Sequence, residues 1–197
     1  MDIEKLKELK IDSYLDIGAN TGQFYDFIKT IFPAIYVEMI EPNPWAVSKL
    51  KKRWKNITIH PYGAGNVDKD LPFNINKYKK YSKGASFLKD YQLVDVDVLD
   101  VAVRKLDSLF QDKFFDLIKI DTEGFEFEVL KGAEQTIAGS KYLLIEMPKN
   151  NDLINWLKQR NYYATSVLHK NAVGGKVVFD ILFEKNSAKK EIKIKNY

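Results

Sequence analysis

The chain has 197 residues, a net charge of +4 and no cysteine, which suits one domain with a sizeable core and excludes disulfides, cysteine-ligated metals and cysteine nucleophiles. A hydrophobic content of 45% with mixed charge excludes a disordered chain. No apolar run reaches membrane-spanning length, and the charged N-terminus lacks the apolar core of a secretory signal, so the expectation is a soluble, cytoplasmic protein.

Residues 1–12 read as an amphipathic N-terminal helix. The run Y-L-D-I-G-A-N-T-G over residues 14–22 follows, an apolar stretch ending in glycine and small residues. Phe24, Phe27, Ile28 and Ile31 then recur at helical spacing. This is strand, tight turn, helix, with Asn20 or Thr21 as a candidate cap. Such a turn at the carboxyl end of a first parallel strand is a common cofactor site. A dinucleotide fingerprint needs G-x-G-x-x-G; counted from Gly18, this chain has Asn20 and Gln23 at the later two positions. It carries instead Asp16-x-Gly18-x-Asn20-x-Gly22, with an acid two residues before the first glycine.

Residues 35–40 form the second strand and end at Glu41-Pro42-Asn43-Pro44. Asn43 suits an N-cap and Pro44 the first helical position. Val47, Leu50 and Trp54 share a face of the next helix, whose last turns carry Lys51, Lys52, Arg53 and Lys55. Glu41 lies about twenty residues past the glycine turn, where an acid accepts hydrogen bonds from ribose hydroxyls. Residues 57–60 form the third strand, and Gly63, Ala64 and Gly65 make a loop with room for an adenine ring.

Residues 66–105 read as an irregular, acceptor-side region. Within it, 71–75 is a short extended piece. Val94, Val96 and Val98 alternate with Asp95 and Asp97 as a half-buried strand that continues past a bulge to Val101 and Val103. Lys77, Tyr78, Lys79, Lys80, Tyr81 and Lys83 are a solvated basic loop or a lid over the acceptor. Leu106 to Leu109 opens a short helix, in which Asp107 is a helix cap or a site residue. Residues 114–120, F-F-D-L-I-K-I, form a buried strand closed by Asp121-Thr122-Glu123-Gly124. A helix, the strand 142–147 and another helix follow. Strands 162–168 and 177–183 make an antiparallel hairpin, and 185–197 is a loose basic tail. The fold class is α/β, a mostly parallel doubly wound sheet of Rossmann-like methyltransferase type with a C-terminal antiparallel hairpin, in one domain over 1–197.

The runs D-I-G-A-N-T-G-Q-F, I-E-P-N-P, L-D, I-K-I-D-T-E-G-F-E, V-L-K-G-A and L-I-E, in this order over roughly residues 14–147, resemble the FkbM family of methyltransferases. The resemblance implies transfer of a methyl group from S-adenosyl-L-methionine, mostly to hydroxyl oxygens of sugars, polyketides and related small molecules. It implies a cofactor loop of Asp16, Gly18, Asn20 and Gly22, with Glu41, Pro42 and Asn43 at the ribose. Gly63 and Ala64 then lie by the adenine and Asp121 by the methyl group. Catalysis falls to Asp121, Glu123 and Lys119, the last two residues before Asp121 on the same strand face. Ser86, Tyr81 and Glu126 are candidate substrate contacts. His60, the base by residue type, reads as structural. Asp121, Glu123 and Glu146 suit a magnesium ion, but none is expected. The expected partner is a small-molecule or glycan acceptor. A nucleic-acid methyltransferase and a non-catalytic cofactor-binding protein are the alternatives.

Overall fold

The computed structural model describes residues 3–78, 85–88, 95–173, 176–192 and 194. Helix α1 (Ile3–Lys7) precedes β1 (Ser13–Ile17), α2 (Gln23–Ile31), β2 (Tyr36–Ile40), α3 (Pro44–Arg53) and β3 (Thr58–His60). Strands β4 (Gly63–Ala64), β5 (Lys69–Asn76) and β6 (Val96–Arg104) follow, then α4 (Leu106–Leu109), β7 (Leu117–Ile120), α5 (Glu126–Lys131) and α6 (Glu134–Ala138). Strand β8 (Tyr142–Pro148), α7 (Asn151–Lys158), β9 (Tyr162–Val173), β10 (Lys176–Lys185) and a 3-10 turn at Ala188–Lys190 complete the chain.

The main sheet has seven strands in the order β3-β2-β1-β7-β8-β10-β9. The first five are parallel, and β10 runs antiparallel between β8 and β9. Strand order reverses between β1 and β7, so their carboxyl ends open a crevice at the topological switch point. Alternation along the buried strands sends Leu15, Ile17, Ile118, Ile120, Ile145 and Ile181 to one face, where they pack with side chains of α4 to α7. Tyr14, Leu117, Leu144 and Leu182 face the other side, against α1, α2 and α3. Pro44 sits at the start of α3, and Asn43 caps it by accepting a hydrogen bond from Trp45 N at 3.0 Å. No helix of the described residues is long and apolar enough to cross a membrane.

The structure corrects several expectations. The N-terminal helix is confined to Ile3–Lys7. The residue at the start of α2 is Gly22, in the left-handed region with φ 82°, and no side chain caps the helix. The 66–105 region is mostly regular: β5 and β6 pair one-for-one from Lys69↔Val103 to Asn76↔Val96 in a second sheet, β4-β6-β5. No bulge separates Val98 from Val101, so strict alternation runs back from buried Val103 and leaves Val96 and Val98 on the exposed face. Parity was set by the residue that reaches the core, which local alternation does not reveal. Val94 and most of the basic loop, Tyr81 included, lie outside the described residues. The C-terminal segment is not loose throughout: Ile194 is buried, and Ile192 N donates to Ala164 O at 2.8 Å.

Candidate active site

The carboxyl ends of β1, β2, β7 and β8 surround a cavity of about 430 Å³, with Gln23, Phe24 and Phe27 of α2 in its wall. Two turns form its floor. After β1, Gly18 N and Ala19 N both donate to Ile40 O, at 3.0 and 3.2 Å. After β7, Asp121 N donates to Ile17 O at 3.0 Å. Gly18 has φ +81°, and a Cβ there would lie 1.8 Å from the Asp121 carbonyl oxygen. Only glycine fits both the conformation and the approach. Asn20 (φ 48°) and Glu123 (φ 55°) are left-handed without being glycine, the kind of backbone strain that clusters at functional turns.

Glu41 joins the β1 and β2 turns. Its Oε2 accepts from Asn20 N at 2.7 Å and its Oε1 from Asn43 N at 2.8 Å. Burial pushes its pKa up to about 7, against the pull of those two N–H groups. Gly18, Asn20, Glu41, Pro42, Asn43, Gly63 and Ala64 line the cavity together. Asp16 and Gly22 lie behind this lining. Asp16 is fully buried, and desolvation raises its pKa although Lys119 opposes the shift.

Asp121 faces the cavity from the switch point, with Lys119 Nζ 2.8 Å from its Oδ2 and 4.0 Å from Asp16 Oδ1. Burial would discharge Lys119, but Asp121 and Asp16 outweigh it and hold the ammonium well above the usual lysine range. Phe24 of α2 covers that ammonium, with the ring centroid 5.2 Å away. Across the floor, one oxygen each of Asp121, Glu123 and Glu146 lie within 4.8 Å of one another. Burial first, and then Asp121, push the Glu146 pKa up to about 9. The Lys119 ammonium and a proton on Glu146 offset part of the negative charge of this group at neutral pH.

That shift carries a pH prediction. The folded state holds the Glu146 proton more tightly than the unfolded chain, whose ordinary value is 4.5. Stability from this group is therefore present at low pH and is lost as pH climbs from the unfolded value toward about 9. Glu146→Gln should raise the melting temperature over wild type at pH 8, and much less at pH 5. Equal gains at both pH values would mean that Glu146 stays ionised in the fold.

Other sequence candidates are placed elsewhere. Ser86 is buried and donates through Oγ to Glu123 O at 2.8 Å, so it holds the turn while Ala85 and Phe87 face the cavity. Glu126 turns inward as well: its Oε1 accepts from Thr122 N and Gly124 N, both at 3.0 Å, bracing the turn after β7. Burial lifts its pKa to about 7, against those hydrogen bonds. Asp107 accepts from Gln135 N and Thr136 N at 3.1 and 2.8 Å, capping α6 from a neighbouring helix. His60 bonds Glu38 at 2.6 Å and the Tyr62 hydroxyl at 2.9 Å, a structural tie between strands.

The sequence reading missed cavity residues too. Phe24 and Phe27, half-buried, come from α2, and Phe73 and Phe87 come from the 66–105 region. His169, Asn171 and Asp180 come from β9 and β10. The one available signal was Asp180, a charge inside the apolar run V-V-F-D-I-L-F.

Comparison with known proteins gives a family. The methyltransferase FkbM domain matches residues 16–164. No curated protein matches the chain. Among solved structures, M. capricolum TrmK, in complex with its natural cofactor product S-adenosyl-homocysteine, is similar at a TM-score of 0.54 and 13% identity, over 93% of this chain and 67% of that one. A TehB-like SAM-dependent methyltransferase from Corynebacterium glutamicum is similar at 0.51 and 11% identity, over 93% of this chain and 85% of that one. The precorrin-6y C5,15-methyltransferase of Geobacter metallireducens is similar at 0.51 and 15% identity, over 93% and 87%. At these identities the likeness is one of fold.

Proposed function

The chain belongs to the FkbM methyltransferase family, whose methyl donor is S-adenosylmethionine, and from that premise we propose that it methylates a hydroxyl oxygen of a sugar, glycan or similar small molecule. The observation that carries the donor's part of this reading is Glu41. A buried carboxylate at the end of β2 accepts one N–H on each oxygen and keeps further lone pairs for a ribose diol at the cavity wall. The residues present therefore fit the donor: Glu41 for its ribose, Gly63 and Ala64 for its base, and the turn of Gly18 and Asn20 for its amino-acid end.

When bound, S-adenosylmethionine supplies a methyl group already activated on a sulfonium. What remains for the protein is alignment and charge. Asp121 and Glu123 present carboxylate oxygens that hold acceptor hydroxyls in line with the methyl, and Lys119 fixes Asp121. Phe24, Phe27, Phe73 and Phe87 keep water out and offer apolar faces to a ring.

In the melting experiment, S-adenosylmethionine and S-adenosylhomocysteine should each stabilise the protein by about 2.7 kcal/mol at a hundredfold excess over Kd, and NAD should not. Stabilisation by NAD alone would sink the reading. Glu41→Ala should weaken S-adenosylhomocysteine binding by about 1–3 kcal/mol, the range for unsatisfied hydrogen-bonding groups. Wild-type affinity in calorimetry would show that the ribose lies elsewhere. Acceptor class is tested by product mass after incubation with deuterated-methyl donor and a panel of sugars, polyketides and RNA. A labelled RNA with unlabelled sugars would favour the nucleic-acid alternative.

A further inference from the structure

The polar row on the sheet continues past the carboxylates. Asp180 of β10 stands opposite Glu146 of β8 on one side and opposite His169 of β9 on the other. Opposed residues of an antiparallel pair share a face, with Cβ atoms about 4.5–5.5 Å apart. Asp180 and His169 both line the cavity.

His169 reaches that face through an irregularity. Between Asp180 and Ile181 the partner on β9 jumps from His169 to Val167. Leu168 is the extra residue of a β-bulge, a device that re-aims side chains beside active sites. Val167 packs with the α4–α7 side of the sheet and Leu168 with the α1–α3 side. Simple alternation would send His169 back toward α4–α7. With the bulge it stays opposite Asp180, at the cavity.

We propose that His169 is the base that takes the acceptor's proton, with Asp180 as its positioning residue. The assignment rests on the O-methylation reading above and adds the proton's destination. Asp121 is engaged by Lys119 at 2.8 Å and by a hydrogen bond with Glu146, so it suits holding the acceptor better than receiving a proton. An imidazole changes charge near neutral pH by type. The other charged groups lining the cavity are Asp180 on β10, Glu146 on β8, Lys119 on β7, the Asp121–Glu123 turn and Glu41 after β2; α2 contributes Gln23, Phe24 and Phe27, which carry no charge. Asp180, opposite His169 in register, is the carboxylate placed to orient the imidazole. The acceptor O–H bond breaks as its proton passes to an imidazole nitrogen. The oxygen's electron pair bonds the methyl carbon, and the carbon–sulfur pair returns to sulfur. Charge balances, since one sulfonium is replaced by one imidazolium, which then releases its proton to water.

The chain has two histidines, so proton NMR of the full protein identifies the His169 resonance as the one missing from His169→Gln. It should shift in Asp180→Asn. It should also shift when S-adenosylhomocysteine is added. His169→Gln should bind S-adenosylhomocysteine like wild type, yet lose roughly 10²–10⁴-fold in kcat with deuterated-methyl donor and a mixture of free monosaccharides. Its pH–rate profile should lose the acid limb. A His169 resonance indifferent to Asp180, or wild-type turnover by His169→Gln, would overturn the proposal. Failure of wild type to bind S-adenosylhomocysteine would overturn the methyltransferase reading instead, and the resonance comparison would still decide the pairing.

Discussion

Gly18→Ala should abolish cofactor binding and lower the melting temperature by several degrees. The added Cβ would meet the Asp121 carbonyl oxygen at 1.8 Å, with φ at +81°. Left-handed backbone alone costs a residue with a side chain roughly 1–2 kcal/mol. The clash is with backbone, so no rotamer change relieves it. The β1 and β7 turns must part, and that movement strains Asp121 N–Ile17 O and the pair of bonds to Ile40 O. Asn20 and Glu41, joined at 2.7 Å, move with the turn. The donor would lose its ribose partner and its floor together. Calorimetry with S-adenosylhomocysteine on folded variant checks this. Wild-type affinity would mean that the two turns part without cost, and that the cofactor does not depend on their approach.

Asp121→Asn should separate chemistry from binding. The amide keeps the shape and removes the charge that pairs with Lys119 at 2.8 Å. Affinity for S-adenosylhomocysteine should stay within a few-fold, because Glu41 and the β1 turn are untouched. Turnover should fall by roughly 10²–10⁴-fold through lost alignment and the loss of the carboxylate nearest the Lys119 ammonium. Magnesium should not restore it, since the variant keeps only Glu123 and Glu146 of the three clustered carboxylates. Rescue by magnesium would turn Asp121, Glu123 and Glu146 into a metal site. Loss of folding would make Asp121 a structural carboxylate, and near-normal turnover would remove it from the mechanism. Paired with the His169 variant, the experiment also assigns roles: only His169→Gln should alter the pH–rate profile.

Much of the β1 and β2 side of the cavity was legible in the chain itself. Asp16, Gly18 and Glu41 are contiguous with strand ends, and a parallel strand delivers its last residues to one edge of the sheet whatever the rest does. Helix caps are local in the same way, so Asn43 and Pro44 could be read directly. Asp121 was legible because it ends an apolar strand. Sequence by itself thus determined the strand–turn–helix units, the family and the carboxylates at their ends. Only the tertiary structure decided which polar groups meet. Ser86 and Glu126 were drawn into bracing the turn after β7, because backbone groups buried there need partners. Asp107 was drawn to α6 for the same reason. His169 and Asp180 joined the cavity because β10 inserts beside β8 and a one-residue bulge resets the parity of β9. Side-chain direction on a strand depends on register counted from a partner strand, and no pattern within β9 states which strand that partner will be.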